Sequence, residues 1–380
     1  MIPSQRHLFD IPDHIAYFNC GYMSPQLKSV RVAGHGGVDR KSAPWTTQPE
    51  DFFSGPNRAR SLFAELVHAE PADIAIISSA SYGLAIAARN ITAAKGQKIL
   101  VLADQFPSNI YCWQELAKTT GAEIVTVEAP ADHDWTHAVL AAIDDKVAVA
   151  ALPHCHWTDG ALLDLEVIGA KLRKYGAKLV LDITQSIGAL PIDVARVKPD
   201  FLIAACYKWM LGPYSFGFMY VAPEFQTGEP IEYNWLNRAG SEDFAGLVDY
   251  QDAYQPGAGR FDMGERANFA QIPMAIAALE QLLDWTPKRI QETLRALTGN
   301  IAKRCAKIGL TSLPQDLRAG HFLGLRHQDE LPADLLQTLA DDDIFISKRG
   351  SSLRITPHLF NNDADVDRLV SALKAALERR

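Results

Sequence analysis

The stretch DFLIAACYKWMLGPYSFGFMYV, residues 200–221, carries an apolar run that ends on Tyr207-Lys208-Trp209. FLIAAC reads as a buried strand. A lysine between two aromatics at the end of such a strand is a poor place for a charge. An unpartnered buried ammonium costs several kcal/mol, and the usual relief is a lowered pKa. A solvated lysine at a strand end is one reading of Lys208; an amine used for covalent chemistry is the other.

The surroundings extend the strand reading. SFGFMYVAP (215–223) is a further strand, its direction open. Upstream, short apolar runs alternate with helical patterns. The expected strands are 73–80, 97–105, 123–129, 146–154 and 178–185. Helices are expected at 81–92, 109–122 (closed by Gly121), 135–144 and 165–177. Continuous apolar strands alternating with helices predict a mostly parallel sheet covered on both faces. Beyond about residue 265 the rhythm changes. Long amphipathic helices are expected at 269–284 and 287–308, strands near 321–326 and 344–356, and a last helix opened by Asp363. The fold class is α/β: a large domain with a mostly parallel sheet of seven-stranded type, plus a smaller C-terminal α+β domain. The expected divisions are an N-terminal segment 1–15, a large domain 16–255 and a small domain 256–380.

Composition narrows the function. The chain has 380 residues, 48% hydrophobic, with a formal charge of −8 and no basic block, so a nucleic-acid partner is not expected. Five scattered cysteines without a CxxC pair suggest a reducing compartment and no structural metal site. The N-terminus shows no apolar signal region, and no run approaches the roughly 20 residues of a membrane span. A cytoplasmic location is the expectation.

In open α/β sheets ligands bind beyond the carboxyl ends of the strands. There the sequence places Ser78-Ser79-Ala80-Ser81 leading into a helix, an arrangement suited to a phosphate or to ordinary capping. Phe106 follows the next strand and can stack on a flat ring or pack in the core. Asp182 ends an apolar run, where a carboxylate needs a partner. Lys208 lies one strand–connection–strand unit later, with the Tyr207 phenol beside it. A phosphate seat, an aromatic, a carboxylate, an amine and a phenol are the parts that pyridoxal 5′-phosphate requires.

The chain resembles the class V aminotransferase family of pyridoxal-phosphate enzymes, which have the aspartate-aminotransferase-type fold. Relatives in that family include cysteine desulfurases, kynureninases and isopenicillin-N-epimerase-like proteins. The likeness runs from AYFNCGYMSP (16–25) to SLRITPHLFNNDADVDRLVSAL (352–373), the latter similar to the family's arginine–serine–proline–histidine ending. FPSNIY (106–111) and CYKWML (206–211) resemble kynureninase segments. The resemblance implies Lys208 as the Schiff-base lysine and Asp182 as partner of the pyridine nitrogen. Gln185 would meet the ring oxygen and Phe106 the ring face. Ala80, Ser81 and Tyr207 would hold the phosphate. Arg354 would clamp an amino-acid substrate's carboxylate, with Asn19 and Trp157 nearby. It also implies a homodimer with the active site at the subunit interface, where Arg266 or Asn268 of RFDMGERANFAQIPM (260–274) would reach phosphate.

Departures from the relatives steer the activity. DIFISKRGSSLRI (343–355) holds no cysteine, against a desulfurase mechanism. Gln185 stands where kynureninases place a histidine. Trp157 stands where many members place an asparagine. An aminotransferase or epimerase-like enzyme is the first expectation, and a carbon–carbon or carbon–sulfur lyase the alternative.

Overall fold

The computed structural model describes residues 1–379. After a two-residue strand β1 (Ala16–Tyr17), the large sheet is built from β2 (Ile74–Ile77), β3 (Lys98–Leu102), β4 (Glu123–Val127), β5 (Val147–Pro153), β6 (Lys178–Asp182), β7 (Phe201–Ala205) and β8 (Gly217–Val221). Its seven strands run in the order β2-β8-β7-β6-β5-β3-β4. β8 is antiparallel to both of its neighbours, and the other pairs are parallel.

The unbroken apolar runs follow from burial on both faces. Phe201 and Ile203 point into one core with Ile77, Leu84, Ile86 and Trp113. Leu202 and Ala204 point into the other with Phe63, Ile168, Leu279 and Leu282. Side chains alternate across a strand, so a strand buried on both sides shows no polar beat. Several helices begin and end on local signals. Asp134 and Asp164 cap Trp135–Ala142 and Leu165–Lys174, and Gly121 closes Ser108–Thr120 in the left-handed region at φ 78°.

The outer edge of β2 is not left open. Ile76 N–H donates to Asp262 Oδ1 at 2.8 Å, and Met263 N–H donates to Ile76 O at 2.9 Å. Asp262 also holds Arg60 Nη1 at 2.8 Å and Arg266 Nη1 at 3.1 Å.

The smaller sheet comprises β9 (Leu310–Thr311), β10 (Leu323–His327), β12 (Ser347–Arg349) and β13 (Ser352–Ile355), in the order β12-β13-β10-β9. β1 pairs in parallel with β11 (Ile344–Phe345). Ile301, Leu353, Ile355, Val366 and Leu369 form its core. Two segments pack across the expected divisions at 15/16 and 255/256. Ala16 and Phe18 lie in the small-sheet core, while Ile272, Ala275 and Leu279 lie in the large one.

Some elements differ from the sequence reading. Helices Lys28–Arg40 and Asp51–Val67 carry glycines and an internal Pro56, which blur the apolar period. Gly37 is required there, because a Cβ would run into the Phe269 carbonyl. The last helix is capped by Asn362 rather than Asp363, with Asp365 completing a reciprocal capping box.

Candidate active site

The carboxyl ends of β2, β3, β5, β6 and β7 open on one cleft of ≈ 330 Å³, a size fit for a small ligand. Ser78–Ser81, Phe106, Trp157, Asp182, Gln185, Tyr207 and Lys208 all line it. The spacing that placed Asp182 and Lys208 at one sheet edge is realised through the β6–β7 pairing, in which Asp182 is register partner of Ile203.

Lys208 is only 6% exposed. Burial lowers its amine from 10.5 to about 8; Asp182 opposes the shift, and Arg354 and Arg349 add to it. No carboxylate forms an ion pair with Lys208 among the described residues. Its Nζ instead lies 5.3 Å from the Tyr207 ring centroid and 5.4 Å from that of Phe106, within cation–π range. Burial pushes the Asp182 carboxyl up, and Thr184 pulls it down: its N–H donates to Asp182 Oδ1 at 3.0 Å. Thr184, unremarked in the sequence reading, is thus a support of Asp182, and its hydroxyl also accepts from Ala205 N–H at 3.1 Å. Only its place between Asp182 and Gln185 could have signalled it.

Ser79 caps helix Ala80–Asn90, its hydroxyl accepting from Tyr82 N–H at 3.1 Å. The Ser81 hydroxyl is 3.0 Å from that of Ser79. First-turn N–H groups of a helix have no intrahelical acceptor, so those of Ala80 and Ser81 stand available at the cleft wall. Tyr207 packs against Tyr214 with ring centroids 4.6 Å apart, and burial pushes its phenol up to about 12, which keeps it a protonated donor.

The Gln185 side chain is oriented from both ends. Its Nε2 donates to Gly21 O at 2.9 Å, and its Oε1 accepts from Trp209 Nε1 at 3.1 Å. Trp209, beside Lys208 in the sequence, is a fully buried brace for that amide. Phe106 meets Trp157 edge-on, with centroids 5.4 Å apart at 81°. The Trp157 indole N–H donates to Asp104 O at 2.6 Å.

Arg354 is 1% exposed and has no carboxylate partner among the described residues. Its Nε donates to Ser347 Oγ at 2.9 Å and its Nη1 to Trp157 O at 3.1 Å. Burial lowers the guanidinium to about 10, with Arg349 adding to the effect. A buried cation held by neutral groups alone is poised for an anion that is not part of the chain. Asn19 is bridged to Thr356 beside it in the chain's fold, and its buried Oδ1 has no hydrogen-bond partner.

Arg266 and Asn268 are not brought to the cleft of their own chain. Arg266 is buried and bound to Asp262 and to Asn237 Oδ1 at 2.7 Å. The carboxylate of Asp262, unnoticed in the sequence, claims the charge expected for phosphate. Asn268 is exposed and accepts from Ala270 and Gln271 N–H groups at the start of helix Gln271–Trp285. Cys206 is buried, and burial pushes its thiol well up, as befits a packing residue.

A sequence model of the family described as "Aminotransferase class-V" matches residues 45–368. The uncharacterized aminotransferase YcbU of Bacillus subtilis (strain 168) is 28% identical over 323 residues, covering 83% of this chain and 82% of the relative. The isopenicillin N epimerase of Streptomyces clavuligerus is 23% identical, covering 84% and 83%. The apo structure of a cysteine desulfurase from Thermococcus onnurineus NA1 superposes with a TM-score of 0.87 at 17% identity, covering 100% of both chains.

Proposed function

The chain belongs to the class-V aminotransferase family, and from that premise we propose that it is a pyridoxal 5′-phosphate-dependent aminotransferase acting on an amino acid. The observation that carries the reading is Lys208: a desolvated amine facing Asp182 in a cleft that also holds a serine-capped helix N-terminus.

The residues present fit this cofactor. The N–H groups of Ala80 and Ser81, the Ser81 hydroxyl and the Tyr207 phenol would hold its phosphate. Asp182 would keep a proton on the pyridine nitrogen. Phe106 would cover a ring face. The second N–H of the Gln185 amide is free for the ring oxygen. Lys208 Nζ would hold the aldehyde carbon covalently. When bound, the cofactor supplies an electron-withdrawing ring that stabilises negative charge at the substrate's Cα.

The chain's own residues do the rest. Arg354 clamps the α-carboxylate, and Asn19 and Trp157 flank it. Lys208 Nζ, as the free amine, would take the α-proton. An amine near 8 suits that base, because it is partly unprotonated at neutral pH and still binds a proton well. Transamination is favoured over sulfur abstraction because Cys206 is buried and residues 343–355 contain no thiol. A cytoplasmic homodimer completes the reading, with Asn268, exposed in 260–274, as the side chain that would approach a partner's cofactor.

Two results test it. Purified protein supplied with pyridoxal phosphate is expected to turn yellow and to turn over an amino acid beyond one equivalent per site only when a 2-oxo acid is present. Product formed over many turnovers without the oxo acid would assign a lyase or racemase instead, and a colourless protein would end the cofactor reading. Cofactor capture by the apoprotein should rise with pH around a midpoint of about 8, because only the free-base amine attacks the aldehyde. The linked stability has the same sign. Between about 8 and 10.5 the unfolded chain holds a Lys208 proton that the folded chain has released, so the apoprotein gains stability across that window and loses it as pH falls through 8. A midpoint near 10 in stopped-flow capture would contradict the depressed amine.

A further inference from the structure

Arg354 is not the only guanidinium turned toward Trp157. β12 and β13 form an antiparallel hairpin in which Arg349 pairs with Ser352 and Ser347 pairs with Arg354. Side chains two apart on a strand share a face, and directly paired residues share it too. Arg349 and Arg354 are therefore diagonal neighbours on one face. Their Cζ atoms lie 5.8 Å and 5.7 Å from the same Trp157 ring.

Arg349 is half-buried and forms no ion pair with a carboxylate among the described residues. Its Nη1 donates to the Lys348 carbonyl at 2.7 Å. Its charge reaches the reacting centre, since it makes both Lys208 and Arg354 less basic. Lys208, Arg349 and Arg354 thus act on one another, and Asp182 is the carboxylate that acts on Lys208. On the proposed reading the cofactor's phosphate is met by the 79–81 turn and the substrate's α-carboxylate by Arg354. That leaves one cation without an anion.

We propose that Arg349 is a second anion subsite, which makes the amino donor or the accepting 2-oxo acid a molecule with an acidic group on its side chain. This rests on the aminotransferase reading of the same cleft. Trp157 sets the spacing of the two subsites. Its indole is fixed by Asp104 O and its backbone carbonyl by Arg354, so the guanidiniums are held apart on a rigid aromatic support. A neutral side chain of the same length would leave Arg349 desolvated and unpaired, which selects against it.

The test uses the yellow holoenzyme and compounds that bind without reacting: succinate, glutarate, phosphonoacetate and, as control, butyrate. Binding is followed by calorimetry and by tryptophan fluorescence. At least one of the doubly acidic compounds should bind about 10- to 100-fold more tightly than butyrate, as one added charge-assisted hydrogen-bonded pair provides. Preference for phosphonoacetate would assign a phosphorylated side chain, and preference for succinate or glutarate a second carboxylate. Arg349→Gln should bring the ratio close to one, and Arg349→Lys should retain part of it. Arg354→Gln should weaken every ligand. Equal binding of all four compounds to the native protein, or a ratio unchanged in Arg349→Gln, overturns the proposal. A protein that never becomes yellow fails at an earlier step, so it indicts the cofactor assignment rather than this subsite.

Discussion

Lys208→Ala is expected to give a folded protein that binds pyridoxal phosphate without the covalent link and loses transamination by at least about 10³-fold. Two roles vanish together, the covalent anchor and the base at Cα. The fold should not suffer. The amine it removes is desolvated, its pKa lowered to about 8, and it has no carboxylate ion pair to lose. Urea unfolding of the apoprotein should therefore show a midpoint equal to or above that of the native chain. The side chain leaves a space between Phe106 and Tyr207, so a small primary amine such as methylamine should restore part of the proton transfer. Activity within tenfold of native, or an intact borohydride-fixed cofactor on the Ala variant, would show that another residue holds the aldehyde.

Arg354→Met should separate function from stability in the same way. Loss of the carboxylate clamp should lower kcat/KM by about 10³-fold, roughly 4 kcal/mol, mostly through KM. The apoprotein should be as stable as native or more so, because a buried guanidinium with neutral partners is replaced by an apolar chain of similar reach. Arg354→Lys should not rescue. A lysine cannot keep the bonds to Ser347 Oγ and Trp157 O while presenting a planar fork to the substrate. The pairing of a stability scan with Michaelis kinetics checks both halves. A marked loss of stability in Arg354→Met would mean that the arginine serves the fold.

Much of this site was legible because its parts sit at strand ends. Asp182 and Lys208 each close an apolar run, and a charge in that place is visible against its neighbours. The serine cluster 78–81 and Phe106 are visible for the same reason. What stayed hidden depends on long-range contacts. Asp262 gives no local sign that it will pair with both Arg60 and Arg266, so nothing local marks Arg266 as already bound. Trp209 and Gln185 touch only once β6 and β7 lie side by side. Arg349 gives no local sign because half of its meaning is Trp157, which lies far away in the chain and meets it only across the two domains. The helices at 28–40 and 51–67 were lost for another reason: glycines chosen for close approach dilute the apolar period that identifies a helix.

The position of β2 carries a consequence for how the enzyme comes to life. The turn that would seat the phosphate hangs from Ile77, and Ile77 is tied to the sheet only through Gly217 in β8. The far side of β2 is sealed later still, by Asp262 and Met263. A chain emerging from the ribosome therefore offers the lysine, the carboxylate and the aromatic wall before it can offer a finished phosphate seat. Such non-local pairing is slow, and the waiting strand edge is exposed meanwhile. Cofactor loading then follows the closing of β2 rather than preceding it: colour would appear only in chains in which β2 has met β8 and residues 262–263.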